Sequence, residues 1–164
     1  MDFPKMLDDA KDLSDIFEVV KAAVQARLKK SRGGLMLGVA DLGNQPQGFF
    51  GGYFQVGSNI IVINRNPLQR IKDTQPELYK PYVFHVLLHE YLHTIGFMDE
   101  DVVRPQAYQV TKALFGEEHL ATQIAKDPFK FIPNLVYPQI GWQPSETNFE
   151  IIAGFDRSST DYIQ

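Results

Sequence analysis

Residues 83–99 read VFHVLLHEYLHTIGFMD. Within this stretch His89 and His93 stand four residues apart, and Glu90 directly follows the first of them. On an α-helix a four-residue step is about 40° of rotation and about 6 Å of rise, so both imidazoles leave one face. Two neutral imidazoles converging from one face supply half of a tetrahedral zinc site. Glu90 falls within about 60° of His93 around the helix axis, near enough to serve a metal-bound water without being a ligand. Val83, Phe84, Val86, Leu87, Leu88, Leu92 and Ile95 surround these polar residues, which predicts a largely buried helix. Buried polar groups without partners are costly, so the histidines and the glutamate require partners. A metal is one answer; backbone carbonyls are the plainer one.

The residues that follow extend the pattern. Gly96 comes three after His93 and Asp99 six after it. Glycine enters the left-handed conformation that ends a helix and turns the chain sharply. A residue just past the turn can then reach back to the metal. The stretch HEYLHTIGFMD fits HExxHxxGxxD, and so resembles the zinc-binding consensus of the metzincin metallopeptidases, in the variant with aspartate for the third histidine. That resemblance implies His89, His93 and Asp99 as ligands of Zn2+ and Glu90 as general base. It spans residues 89–99 only. Metzincins also carry a methionine turn well downstream of the motif, whereas the methionines here are Met1, Met6, Met36 and Met98. A gluzincin-like arrangement, with a glutamate from the next helix as third ligand, offers Glu100 and, further on, Glu117 and Glu118. A rise count puts the last two well past the metal if the helices are antiparallel. Asp99 is therefore the first expectation and Glu100 the second. The acidic run Asp99-Glu100-Asp101 also suits a helix N-terminus, where carboxylates complement the helix dipole.

Composition frames this reading. A chain of 164 residues with 44% hydrophobic and 22% charged residues suits a folded domain with a real core. The net charge of −4 gives no general attraction to nucleic acid or anionic membrane. The basic run Lys29, Lys30, Arg32 reads as a charge bias at a helix C-terminus. No cysteine is present, which removes disulfides and thiolate metal sites and fits a reducing, cytoplasmic setting. The first residues, MDFPKMLDDAKD, lack the apolar core of a signal peptide, and no run has the length of a membrane span.

Working outward, residues 4–31 carry a helical stripe of Leu7, Ile16, Val20, Ala23, Val24 and Leu28, stopped by Gly33-Gly34. This helix is expected to back a sheet. Leu35–Ala40, Gly48–Val56 and Asn59–Asn64 read as strands, the last two joined as a hairpin through Gly57-Ser58. The Gly51-Gly52 pair signals either a bulge or close backbone approach, or a rim strand that pairs with an extended peptide. Residues 65–76 read as a polar connector and Glu77–Gly96 as the motif helix. Residues 103–126 read as a further helix with Gly116 as an interruption. Prolines 128, 133, 138 and 144 predict irregular structure beyond.

The expected fold is α+β and zincin-like: a long N-terminal helix, a small mixed sheet of three or more strands, the HExxH helix, a further helix and an irregular C-terminal segment. Residues 1–144 form the expected domain, and 145–164 a tail that can fold over the cleft and offer Glu150, Asp156 or Asp161 to the metal. His85 shares the motif face, one turn before His89, and is read as a half-buried residue with satisfied bonds or as an orienting group. His119 is a less common third-ligand option. Tyr91, Tyr108 and Tyr137 are possible donors to a tetrahedral intermediate. The expected function is zinc-dependent hydrolysis of peptide bonds in a peptide or protein substrate, with Glu90 acting on a zinc-bound water. The alternative is a catalytically inactive zinc-binding or protein-interaction module.

Overall fold

The computed structural model describes residues 1–42, 48–138 and 150–152. The long N-terminal helix expected over 4–31 is two helices. In α1 (Phe3–Asp9) the Asp2 side chain caps Lys5 N, and Ala10 leaves the helix in an extended conformation. Asp12 then opens α2 (Leu13–Leu28): its Oδ1 accepts from Asp15 N at 2.8 Å, while Asp15 Oδ2 accepts from Lys11 N at 2.9 Å. This reciprocal capping starts a new helix where periodicity alone reads through. Lys29, at φ 56°, ends α2 four residues before the glycine pair expected to do so.

The sheet is small and mixed. Its order is β3 (Gly52–Phe54), β4 (Ile60–Asn64), β1 (Met36–Ala40), β6 (Glu150–Ile152). β1 runs parallel to β4, with Leu37 opposite Ile61, and β3 and β6 are antiparallel to their neighbours. The expected hairpin is the β3–β4 pair. Between these strands, Gln55 N donates to Ile60 O and Ser58 N to Gln55 O. A second, two-stranded ladder pairs β2 (Phe49–Phe50) with β5 (Leu135–Val136) in parallel.

Gly51 separates β2 from β3 and accepts from Asn64 N through its carbonyl. At Gly52 a Cβ would lie 2.6 Å from Val62 O and 3.4 Å from Val86 Cγ1, so close backbone approach is one reason for glycine there. Gly52→Ala is expected to cost about 1–3 kcal/mol through overpacking against a backbone that cannot yield. Urea unfolding would measure it, with an unchanged midpoint as the contrary result.

Residues 65–76, expected to be a connector, contain α3 (Arg65–Thr74). Asn64 caps it by accepting from Asn66 N, and Pro67, Leu68 and Ile71 give it a narrow buried stripe. Pro67 sits in the first turn, where no helical hydrogen bond is lost.

The motif helix α4 (Pro76–Thr94) runs through the middle of the molecule. Every residue from Pro81 to Thr94 is buried, the apolar ones around the histidines and Glu90 as their sequence predicts. α4 is the helix nearest the sheet, against β3 and β4, and α2 lies along α4 and α5 (Glu100–Phe115). There Phe17 meets the Tyr91 ring edge-on at 5.4 Å. The helix expected over 103–126 is also two: α5 ends at Gly116 (φ 87°), and His119 caps α6 (Leu120–Lys126) by accepting from Ala121 N. Beyond it the chain is less irregular than its prolines suggest, since α7 (Pro128–Phe131) and β5 precede Tyr137. Of the tail, 150–152 form β6, with two strands between it and β3; Asp156, Asp161 and the rest of 145–164 lie outside the described residues. Among the described residues no helix is long and apolar enough to cross a membrane.

Candidate metal centre

The turn after α4 builds the site. Gly96 adopts φ 110°, Gly96 N donates to His93 O, and Phe97 N donates to Leu92 O. These are the two hydrogen bonds of a Schellman ending, which needs a residue free to enter positive φ. The chain reverses, and Asp99 becomes the N-cap of α5, its Oδ1 accepting from Asp101 N at 2.8 Å. Glu100 is then the first helical residue, and its side chain turns back onto α4.

Glu100 Oε1 lies 2.8 Å from His93 Nε2, and Oε2 lies 2.9 Å from His89 Nε2. His89, His93 and Glu100 each offer a ligand atom, all within 4.8 Å of one another, and could hold a metal ion. Asp99, the first expectation for the third ligand, spends its carboxylate on the helix cap; Glu100, the second, is at the histidines. Glu117 pairs with Lys112 and Lys126 at the surface. His119 is occupied as a cap and lies against the Phe115 ring. Glu150 pairs with Arg65 at the far edge of the sheet.

The donor chemistry can be read from the hydrogen bonds. His93 Nδ1 lies 2.8 Å from Phe97 O. A carbonyl only accepts, so Nδ1 carries the proton, and Nε2 presents a lone pair in the neutral ring. That lone pair faces a carboxylate oxygen, and two acceptors repel unless a proton or a metal cation lies between them. In the metal-free form the proton is the answer. Burial alone would lower the His93 pKa, but the hydrogen bond to Glu100 and the charges of Glu90 and Glu100 raise it. Burial would likewise raise Glu100, yet its bonds from His89 and His93 hold it down at about 2. A divalent cation can replace the shared proton here. Ligand atoms around a tetrahedral zinc are about 3.3 Å apart, so each Glu100–histidine separation, 2.8 and 2.9 Å, would need to open by only a few tenths of an ångström.

Glu90 is buried beside this group. Its carboxylate accepts a hydrogen bond from the backbone N–H of Phe54 on the edge strand β3. Burial pushes its pKa up, and the neighbouring His89 and His93 pull the other way. It is not one of the three converging residues.

The three tyrosines separate. Tyr91 is in the core, with its hydroxyl accepting from Arg32 N at 2.9 Å. Tyr108 bonds Glu117 at the surface. Tyr137 stacks on the His89 ring at 4.6 Å and 23°, and its hydroxyl lies 2.6 Å from His85 Nε2. Burial, helped by the charges of His89 and Arg104, drives His85 down to about 3, so it is a neutral partner to that hydroxyl. Phe97 O and Phe54 N–H are backbone groups, which residue types do not reveal.

The chain matches no known protein-family model, no curated protein and no solved structure. Its functional reading therefore stands on this geometry.

Proposed function

We propose that this protein is a zinc-dependent metallopeptidase. The observation that carries the reading is the Glu100 carboxylate between two imidazoles of one helical turn, with the separate buried carboxyl of Glu90 beside them. Two imidazoles and one carboxylate are a catalytic zinc donor set, which leaves a further position open. Bound there, zinc supplies a Lewis acid that polarises the scissile carbonyl and acidifies water. The same donors suit iron(II) in oxygen-activating enzymes. Glu90 favours hydrolysis, because a proton acceptor that does not hold the metal is what peptide hydrolysis needs.

The chain's own groups have distinct tasks in this proposal. Glu90 takes a proton from the attacking water as its oxygen adds to the carbonyl carbon. It then delivers that proton to the amine nitrogen as the C–N bond breaks. Phe54 N–H fixes the Glu90 carboxylate. Phe97 O fixes the tautomer and plane of His93, and the Tyr137 ring fixes the plane of His89. Peptide enters by a cavity of about 550 Å³ whose wall includes His93 and Phe54.

A zincin-like fold is part of the same proposal. Its support is the mixed sheet with an antiparallel edge strand beside the motif helix, and the glycine turn that returns an acidic residue to that helix. The glutamate as third ligand favours the gluzincin-like arrangement over the metzincin one.

Protein purified without chelator and reloaded with zinc is expected to carry one zinc per chain and to cleave an unfolded protein substrate. Chelation should stop cleavage and zinc should restore it. Less than stoichiometric zinc after reloading would count against the metal. Full zinc with no cleavage would favour a binding module.

A further inference from the structure

Arg32 belongs to the short basic run after α2, but it does not sit there as a solvated charge. Its Nη1 donates to Thr94 O at 2.9 Å and its Nη2 to Ser58 O at 3.0 Å. Its guanidinium lies over the Phe54 ring, 5.6 Å from the centroid. It thus bridges the end of the motif helix and the β3–β4 turn, on the wall of the cavity that reaches His93.

Among the described residues both side-chain hydrogen-bond partners of Arg32 are neutral carbonyls, and no carboxylate pairs with it. Among the described residues no acidic one lines the cavity. A guanidinium stays charged in any such setting. It has five N–H donors, of which two hold these carbonyls, leaving three others on the same planar group. Val56 and Met98 flank the cavity and are 45% and 42% exposed, an apolar rim suited to an aliphatic stem. A planar, charged fork behind an apolar rim is matched by a carboxylate on a short hydrocarbon chain.

We infer that Arg32 is a specificity-determining residue that selects substrates bearing a carboxylate next to the bond being cut. This rests on the peptidase reading, since His93 in the same cavity wall is what relates that carboxylate to a scissile bond. The carboxylate can belong to a glutamate side chain or to the substrate's C-terminus.

Binding to metal-free protein tests the inference without catalysis. The probes are acetyl-Ala-Glu-Ala-amide, its glutamine counterpart, and acetyl-Ala-Gln-Ala with a free C-terminal carboxylate. The Arg32 Nε–H resonance is followed by NMR. At least one carboxylate probe is expected to shift that resonance and to bind at least about tenfold tighter than the glutamine amide. The tighter of the two names the source. Arg32→Gln should equalise all three probes, and Arg32→Lys should restore part of the difference. Because Arg32 also ties two elements together, Met98→Glu provides a second variant on the exposed rim. Its new carboxylate should compete for Arg32 and weaken the anionic probes alone. Equal binding of the three probes by the wild type overturns the inference. Selective binding with no cleavage by the zinc-loaded protein would instead overturn the peptidase reading and leave the carboxylate site standing.

Discussion

Glu90→Gln is expected to lower kcat/KM by about 10²–10⁴-fold while leaving zinc content and the unfolding midpoint unchanged. Glutamine has the same shape, and its carbonyl can still accept from Phe54 N–H. What it cannot do is take up a proton. Burial strengthens the case for glutamate as the base, because it moves the carboxyl toward the range where a general base works near neutral pH. Steady-state hydrolysis, metal analysis and thermal unfolding of the same sample separate the outcomes. Full activity would remove Glu90 as the base. Loss of zinc would make it a ligand instead.

The second large effect is expected at Glu100. Glu100→Gln should weaken zinc by more than about a hundredfold, since even groups that merely orient ligands are worth about 10–100-fold. Asp99→Asn should change affinity by no more than a few-fold. Asparagine caps a helix as well as aspartate does, so the Asp99 bond to Asp101 N survives in kind. Competition against a chromogenic chelator would measure both. Zinc held by His89, His93 and Glu100 would join α4 to α5, so saturating metal at about 1,000 times its Kd should stabilise the wild type by about 4 kcal/mol. Chelator should therefore lower the wild-type midpoint and leave that of Glu100→Gln nearly unmoved. The opposite ranking of the two variants would restore Asp99 as the third ligand.

How much of this was legible beforehand varies by element. The motif helix is plain, because a run this apolar, broken only by its histidines and Glu90, has one stable location, the interior. β1 and β4 are plain as short apolar runs, and the hairpin from the Gly57-Ser58 turn before β4. Helix breaks were not. The α1–α2 break depends on Asp12 and Asp15 exchanging hydrogen bonds with the backbone, a local event that periodicity passes over. α3 is hard to read because its apolar stripe is narrow, with Pro67 in its first turn and Pro76 just beyond it, although Asn64 before Arg65-Asn66-Pro67 is a capping signal. At the site, spacing alone puts His89 and His93 on one face, and they do converge there; Glu90 as the base remains part of the proposal. Asp99 and Glu100 were harder to separate, being neighbours with the same chemistry. Capping preference distinguishes them: the shorter aspartate reaches its own helix backbone, and the longer glutamate is left to reach the histidines. Arg32 gave no sign of its role, since nothing local says that it crosses to Thr94 and Ser58.

The pairing of Glu150–Ile152 with β1 bears on how the protein can be trimmed. Cutting the chain ahead of Glu150 would bare one flank of β1, whose unsatisfied amides and carbonyls then invite a neighbouring molecule to dock. A shortened version that falls silent would be reporting clumped material, and one that stays monomeric would need a charged guard on Met36, the exposed residue of β1, to do so.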